Sequence, residues 1–280
     1  MRFSVLIVTF NNESTIGDCL ESLKRQSLQD FEILIRDNGS KDSTLEIIAR
    51  YGEVRRFDSL NNEGFAAGMN RLAREAAGDY LFFLNPDCFC PEQTLQMLCD
   101  FAMSHDGVLA PALTGLDGKV QVSARNLPDF KNILFSRRSP FYALGLTNHE
   151  AAGYLDIRQP MKVPAVSATA LVIKRQLFAD LGGFDDRFFM YLEDIDLCHR
   201  LGQAKVDIWY LPDLRIKHAW GVSAKKAPLR STYYHYISMF RYFSKYYPDS
   251  QVRLCLLFLL LAGGFGLSIV LGWLGMRPRK

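Results

Sequence analysis

None of the six cysteines stands in a C-x-x-C spacing and nothing in the sequence marks a secretory context, which removes a disulfide framework from consideration. Cys19, Cys88, Cys90, Cys99, Cys198 and Cys255 therefore read as reduced, mostly packed thiols. A charge imbalance is also missing: 33 basic against 30 acidic residues leave +3, so there is no global footprint for nucleic acid. Glycine-rich nucleotide loops are absent as well. Gly64-x-x-x-Gly68 is neither the G-x-G-x-x-G of a dinucleotide fold nor a P-loop, and Phe10-Asn11-Asn12-Glu13 stands where a sugar-phosphate nucleotidyltransferase has a glycine-rich basic turn. There is no internal repeat and no low-complexity tract, and Asn11, Asn12 and Glu13 occupy the place of a signal-peptide cleavage site. What is present is a chain of 280 residues, long enough for one large domain with an appendage.

Apolar runs alternate with helical periodicities. Val5 to Val8 is continuously apolar, the pattern of a parallel strand covered on both faces, and Ile16, Leu20 and Leu23 recur at helical spacing after it. Phe31 to Ile35 predicts a second strand closing on the polar turn Arg36 to Asp42, followed by a helix near Ser43 to Tyr51. A short strand at Val54 to Phe57, a helix ending before Gly78 and the strand Tyr80 to Leu84 continue the alternation. A helix at Gln93 to Met103, a strand at Val108 to Pro111, a core run at Val163 to Ile173 and a short helix at Lys174 to Leu181 follow. Late strands are predicted at Val206 to Leu211 and Leu214 to Lys217, separated by Pro212-Asp213. The order implies an α/β doubly wound sheet flanked by helices, with successive loops on one edge.

Three stretches carry chemistry. Tyr80 to Leu84 delivers Asn85, Pro86 and Asp87 at its carboxyl end, where open α/β sheets place ligands, and the fixed turn holds Asp87 on a rigid support. A plain turn with a solvated Asp is the competing reading. Glu193, Asp194 and Asp196 crowd the first turn of a helix predicted over Glu193 to Leu201. Their proximity raises one another's pKa, which suits a general base, while the helix N-terminus opposes that shift and offers a simpler role as dipole complements. His218 follows a strand, and a lone His there is equally a structural residue. Between Thr114 and Met161 the periodicity fades among glycines, prolines, aromatics and cations such as Arg125, Phe130, Phe135, Arg137, Arg138, Phe141 and Tyr142, so the span is an acceptor-side, membrane-facing segment or a surface loop. Small residues at Ser167-Ala168-Thr169-Ala170 leave room for a ligand against the backbone.

Taken together, Val8-Thr9-Phe10-Asn11, Asp37-Asn38-Gly39-Ser40-x-Asp42, Asn62-x-Gly64-Phe65-x-x-Gly68-x-Asn70 and Leu84-Asn85-Pro86-Asp87 resemble a family 2 glycosyltransferase of the GT-A fold, nearest to the bacterial rhamnosyltransferase-like enzymes of cell-surface polysaccharide assembly. The resemblance covers about the first 220 residues. It implies a GT-A type mixed sheet, a nucleotide-diphosphate sugar donor and Mg2+ or Mn2+. Thr9, Asn11, Asp37 and Asn62 would hold the nucleoside, with Gly64, Asn70 and Asn85 also on the donor side. Asp87 would bind the metal, with Asn85 in place of the first acid of the Asp-x-Asp element, and His218 would be a second ligand or a diphosphate contact. Asp194 falls on the catalytic base, with Glu193 and Asp196 holding the acceptor or the helix; Asp196 is also a candidate partner for Arg200. Lys225, Lys226 and Arg230 would meet the diphosphate or lipid phosphate.

The tail completes the expectation. Tyr233 to Tyr247 shows helical spacing with aromatics beside Arg241 and Lys245, as at a membrane interface or as a stripe packed on the catalytic domain. Leu254 to Met276 is free of charge for about 23 residues, roughly 35 Å as a helix, although Gly263, Gly264 and Gly266 interrupt it. It reads as a single span, a re-entrant or in-plane segment, or a soluble core helix. The expected division is 1–222 catalytic, 223–253 an amphipathic linker helix and 254–276 a hydrophobic membrane segment, with the catalytic domain on the cytoplasmic face of the inner membrane. The expected activity is inverting transfer from a nucleotide-diphosphate sugar to a lipid-linked saccharide, with no nucleic-acid partner and a homo-oligomer left open. A catalytically silent nucleotide-sugar-binding or scaffold subunit is the alternative, motivated by Asn85 and the tail.

Overall fold

The computed structural model describes residues 2–130, 154, 157–219 and 228–273. Strands β1 (Phe3–Thr9), β2 (Phe31–Asp37) and β3 (Val54–Asp58) run parallel, connected through α1 (Ile16–Lys24) and α2 (Thr44–Ile48). Helix α3 (Phe65–Glu75) returns the chain across β1, so that β4 (Tyr80–Leu84) pairs parallel on its other side. The winding direction reverses between β1 and β4, and a crevice opens at the carboxyl ends of two strands that diverge in this way.

Next come β5 (Cys88–Phe89), α4 (Thr94–Ser104), β6 (Val108–Thr114), β7 (Val120–Gln121), β8 (Ala124–Arg125), β9 (Met161–Lys162), β10 (Ala165–Val166), β11 (Ala170–Lys174) and α5 (Arg175–Asp180). The chain ends with α6 (Glu193–Gln203), β12 (Ile208–His218), α7 (Pro228–Tyr246) and α8 (Gln251–Trp273). The main sheet has the order β3-β2-β1-β4-β11-β6-β12-β5, and β11 runs antiparallel to both β4 and β6, which makes it mixed.

Strand alternation sorts the core into two layers. Val5, Ile7, Ile33, Ile35, Phe82 and Leu84 meet Ile16, Leu20 and Leu23 of α1 and Leu95 and Leu98 of α4 on one face. Leu6, Leu34, Leu81 and Phe83 point the other way, onto Met69 and Leu72 of α3, Phe178 of α5, Ile195 and Leu201 of α6 and Tyr242 and Phe243 of α7. Every residue of β4 is buried because helices cover both sides of it.

Several expectations change. The two late strands are one: β12 runs through Pro212 and Asp213, which are absorbed in a bulge that shifts the register between Leu211 and Arg215. The core run at Val163 to Ile173 splits into β10 and β11, leaving Ser167-Ala168-Thr169 as a loop. Phe135, Arg137, Arg138, Phe141 and Tyr142 lie outside the described residues, as do Lys225 and Lys226. Tyr242 and Phe243 are fully buried in the core, so α7 packs into the same apolar cluster as β1, β4 and α6. Helix α8 begins against the same core through Leu254, Leu257 and Leu261. Among the described residues no helix is long and apolar enough to cross a membrane, and residues 274–276 of the expected span lie outside them.

Candidate active site

The donor-side loops are built from their own hydrogen bonds. Asp37, at the end of β2, is almost fully buried and accepts from Thr9 Oγ1 (2.8 Å), Gly39 N (3.0 Å), Ser40 N (2.8 Å) and Ser40 Oγ (2.5 Å). That set ties the end of β1 to the loop after β2. Asn11, in left-handed backbone with φ 56°, donates its main-chain N–H to Ser40 Oγ (2.8 Å) and accepts from Lys41 N at Oδ1 (2.8 Å). Asn62 Oδ1 accepts from Gly64 N (3.0 Å) and Asn38 Nδ2 (3.3 Å). Gly64 has φ 88°, and a Cβ there would stand 2.3 Å from Phe189 O, so only glycine lets the donor-side loop touch the segment before α6. Asn70, expected at the donor, instead clamps backbone: its amide donates to Phe184 O and accepts from Phe184 N, both at 2.8 Å.

Asp87, Cys88 and His218 form a second group. β5 pairs with β12 so that Cys88 faces His218 directly, and oxygen, sulfur and nitrogen of the three buried residues converge within 4.8 Å. His218 Nε2 lies 3.4 Å from Asp87 Oδ1, and Gln121 engages both Nδ1 and the main-chain carbonyl of His218. A carboxylate and an imidazole in reach of one point, with a thiol beside them, are groups that could hold a divalent cation. Cys88 was read as simply packed. Its thiol also donates to Thr169 O (3.7 Å), and burial pushes its pKa well up, as it does for Cys19.

The acid cluster resolves into three different residues. Tyr191 and Leu192, both non-glycine and both left-handed (φ 71° and 63°), form the turn into α6, an arrangement that costs about 1–3 kcal/mol per residue and is held by the packing around it. Glu193 is buried, and Oε2 has no hydrogen-bond partner. Burial and the adjacent Asp194 raise its pKa well above the usual carboxylate range. Burial raises Asp194 too, but the Arg125 charge and the amides of Ile195 and Ala168 oppose that shift. Both acids are thus pushed toward the neutral form, Glu193 without the opposing contacts that Asp194 has. Asp194 Oδ1 accepts from Ile195 N (2.8 Å), and Oδ2 accepts a longer bond from Ala168 N (3.4 Å).

Asp196 is fully buried, with Oδ1 taken by Lys245 Nζ (2.5 Å) and Tyr246 Oη (2.8 Å) and Oδ2 by Arg200 Nε (2.9 Å). It holds the helix, and the alternative role at the acceptor does not fit that geometry. α7 is strapped along its length to the same segment: Ser231 meets Tyr191, Ser238 donates to Met190 O, Tyr242 meets His199, and Lys245 also reaches Asp185 (2.8 Å). None of these long-range partners has a sequence signature.

One loop joins the two halves. Asn85 N donates to Thr169 O (2.9 Å) at the end of β4, while the preceding residue, Ala168, donates to Asp194. The Asp87 side and the Asp194 side therefore meet at adjacent residues of Ser167–Thr169.

Solved structures share this architecture. S. aureus TarS 1–349, crystallised with UDP, superposes with a TM-score of 0.56 at 21% identity over 86% of this chain and 66% of that one. The Pyrobaculum calidifontis mannosyltransferase PcManGT, crystallised with GDP-Man and Mn2+, superposes at 0.60 and 15% identity over 96% of this chain and 75% of that one. The fold is thus of the GT-A type. Residues 4–155 match the family described as glycosyl transferase family 2, and the chain belongs to that family. The N-acetylglucosaminyl-diphospho-decaprenol L-rhamnosyltransferase of Mycobacterium tuberculosis is 30% identical over 254 residues, 84% of this chain and 82% of that protein. Rhamnosyltransferase WbbL of Escherichia coli K12 is 28% identical over 86% of this chain and 92% of its own.

Proposed function

We propose that this glycosyltransferase moves a sugar, rhamnose being the first candidate, from a nucleotide-diphosphate donor to a lipid-linked saccharide, with inversion. The observation that carries the reading is the Ser167–Thr169 loop, bonded to the end of β4 at Thr169 and to Asp194 at Ala168. A donor laid along that loop has its diphosphate toward Asp87 and His218 and the opposite face of its sugar toward Asp194. Asp87 and His218, with the Cys88 thiol beside them, would hold a divalent cation, which when bound supplies positive charge against the diphosphate leaving group. Asp194 orients the acceptor hydroxyl and takes its proton at Oδ2 as the new bond forms to the anomeric carbon and the bond to the diphosphate oxygen breaks. Burial and the adjacent Asp194 disfavour a charge on Glu193, which limits the negative charge beside that oxygen. The relatives that span most of the chain are named as rhamnosyltransferases, and one of those names specifies a diphospho-decaprenol acceptor, which supports the donor and acceptor classes proposed here.

The test is thermal stability across a panel of nucleotide sugars, with and without Mn2+. The true donor at a hundred times its Kd stabilises the fold by about 2.7 kcal/mol. Asp87→Ala, which removes a ligand and no core contact, is expected to lose the Mn2+-dependent part of that stabilisation while melting alone as the wild type does. Unchanged Mn2+-dependent donor binding in the variant rejects the cation site; donor binding without any transfer favours the silent-subunit reading.

The acceptor class makes membrane contact part of the proposal. On α8, Val252, Leu256 and Leu259 are 74%, 61% and 65% exposed on the side away from buried Leu254, Leu257 and Leu261. Such a stripe suits a helix lying in the interface plane. Full-length protein is expected to float with liposomes containing anionic lipid, and Val252→Glu/Leu256→Glu/Leu259→Glu to remain in the soluble fraction with donor binding intact. Equal flotation of the two proteins excludes this face as the contact.

A further inference from the structure

We infer that Gln121 is a positioning residue that holds His218 as the Nδ1–H tautomer, with the Nε2 lone pair directed at Asp87. The inference rests on the reading of Asp87 and His218 as cation ligands. Its local basis is a hairpin. β6 and β7 are joined through Asp117 and Gly118, where Gly118 takes φ 79°, and this turn sets the register Leu113↔Gln121 and Thr114↔Val120. On the other edge of β6, Lys217 pairs with Thr114, so His218 stands one residue beyond and within reach of the Gln121 side chain.

Two bonds define the contact. Gln121 Nε2 donates to the main-chain carbonyl of His218 (2.9 Å), and Gln121 Oε1 faces ring Nδ1 (2.7 Å). The first bond decides the second. Turning the amide over would set its oxygen against the carbonyl oxygen, two acceptors in contact, so the network assigns nitrogen to the carbonyl and oxygen to the ring. Oε1 can only accept; Nδ1 therefore carries the hydrogen, and a neutral ring has its lone pair on Nε2. That atom lies 3.4 Å from Asp87 Oδ1.

Two lone-pair bearers at this separation are favourable neighbours only when positive charge stands between them. The other tautomer behaves differently: with Nε2–H, His218 would donate to Asp87 and the pair would be satisfied without a cation. Gln121 excludes that closed state. Its two bonds also fix the ring plane, because one anchors the main chain and the other the side chain of the same residue. An outer hydrogen bond of this kind on a ligating imidazole commonly changes cation affinity by about 10–100-fold.

The experiment uses the full chain labelled with 15N-histidine, cation-free and at mildly alkaline pH, with the His218 signals assigned by their loss in His218→Asn. Long-range proton–nitrogen correlation is expected to show hydrogen on Nδ1 and none on Nε2. In Gln121→Met the ring is expected to change to Nε2–H, and Mn2+ affinity, read from the paramagnetic resonance of the free ion, to fall roughly tenfold or more. Gln121→Glu keeps an acceptor for Nδ1 but loses the donor to the His218 carbonyl, and is expected to retain hydrogen on Nδ1 with a smaller loss of affinity than Gln121→Met. Nε2–H or a doubly protonated ring in a wild-type chain that binds Mn2+ overturns the role of Gln121 alone, as does a folded Gln121→Met with wild-type tautomer and affinity. Absence of Mn2+ binding in the wild type overturns the cation reading and the role with it. Should Gln121→Met not fold, the wild-type spectrum and Gln121→Glu decide.

Discussion

Asp194→Asn is expected to lower turnover by roughly a hundredfold or more with donor affinity nearly unchanged. The substitution keeps shape and the bond from Ile195 N while removing the proton acceptor, so the loss falls on the chemical step. Asp194 is the acid suited to that step because it is only partly buried and its amide and Arg125 contacts favour the ionised form. Burial nonetheless holds its pKa above the ordinary aspartate value. The base works when deprotonated, so wild-type turnover should rise with pH through that raised pKa, and this limb should vanish in the variant. Glu193→Gln should cost less, because burial already disfavours the charge that the substitution removes. Near-normal transfer by Asp194→Asn alongside an inactive Glu193→Gln would mean that the roles of the two acids are reversed.

The second large effect is on stability. Asp196→Ala leaves the cations of Lys245 and Arg200 facing a cavity where a fully buried carboxylate stood. Removing one partner of a buried ion pair costs about 3–5 kcal/mol; the lower end applies, since Lys245 keeps Asp185 and Arg200 keeps Leu181 O. Urea unfolding should show the midpoint fall without a change in slope. At a temperature where the variant is folded, its acceptor KM should remain within about twofold of wild type. A variant of full stability that no longer binds acceptor would return Asp196 to the acceptor site.

The halves of the molecule differed in how far they could be read ahead. β1 and β4 were legible because each carries a continuous apolar run stopped by polar turn formers, and β2 and β3 because polar turns bound short segments on either side of a helix. Asp87 and Asp194 were legible for a related reason: one ends a strand, and the other opens a helix. Asp196 was ambiguous because position in the first turn of α6 says nothing of Lys245 and Tyr246, which arrive some 50 residues later. Asn70 illustrates the same limit, since its polar side chain serves the backbone of Phe184 rather than a ligand. Gln121 had no signal at all: its hairpin turn is visible in Asp117-Gly118, but the contact with His218 bridges 97 positions. Pro212 misled because proline usually ends a strand, whereas a bulge accommodates it here.

The strapping of α6 by α7 also bears on the order in which the enzyme is made. A ribosome that has released residues up to Gln203 has already supplied the donor-side loops, Asp87 and Asp194, but His218 and the hydroxyls and amine that secure Asp185 to His199 are still to come. Synthesis runs at about 5–20 residues per second and a domain generally folds as a unit, so those missing contacts arrive seconds after the acid they hold in place. The segment that carries Asp194 is therefore secured only once β12 has entered the sheet and α7 has docked beside it.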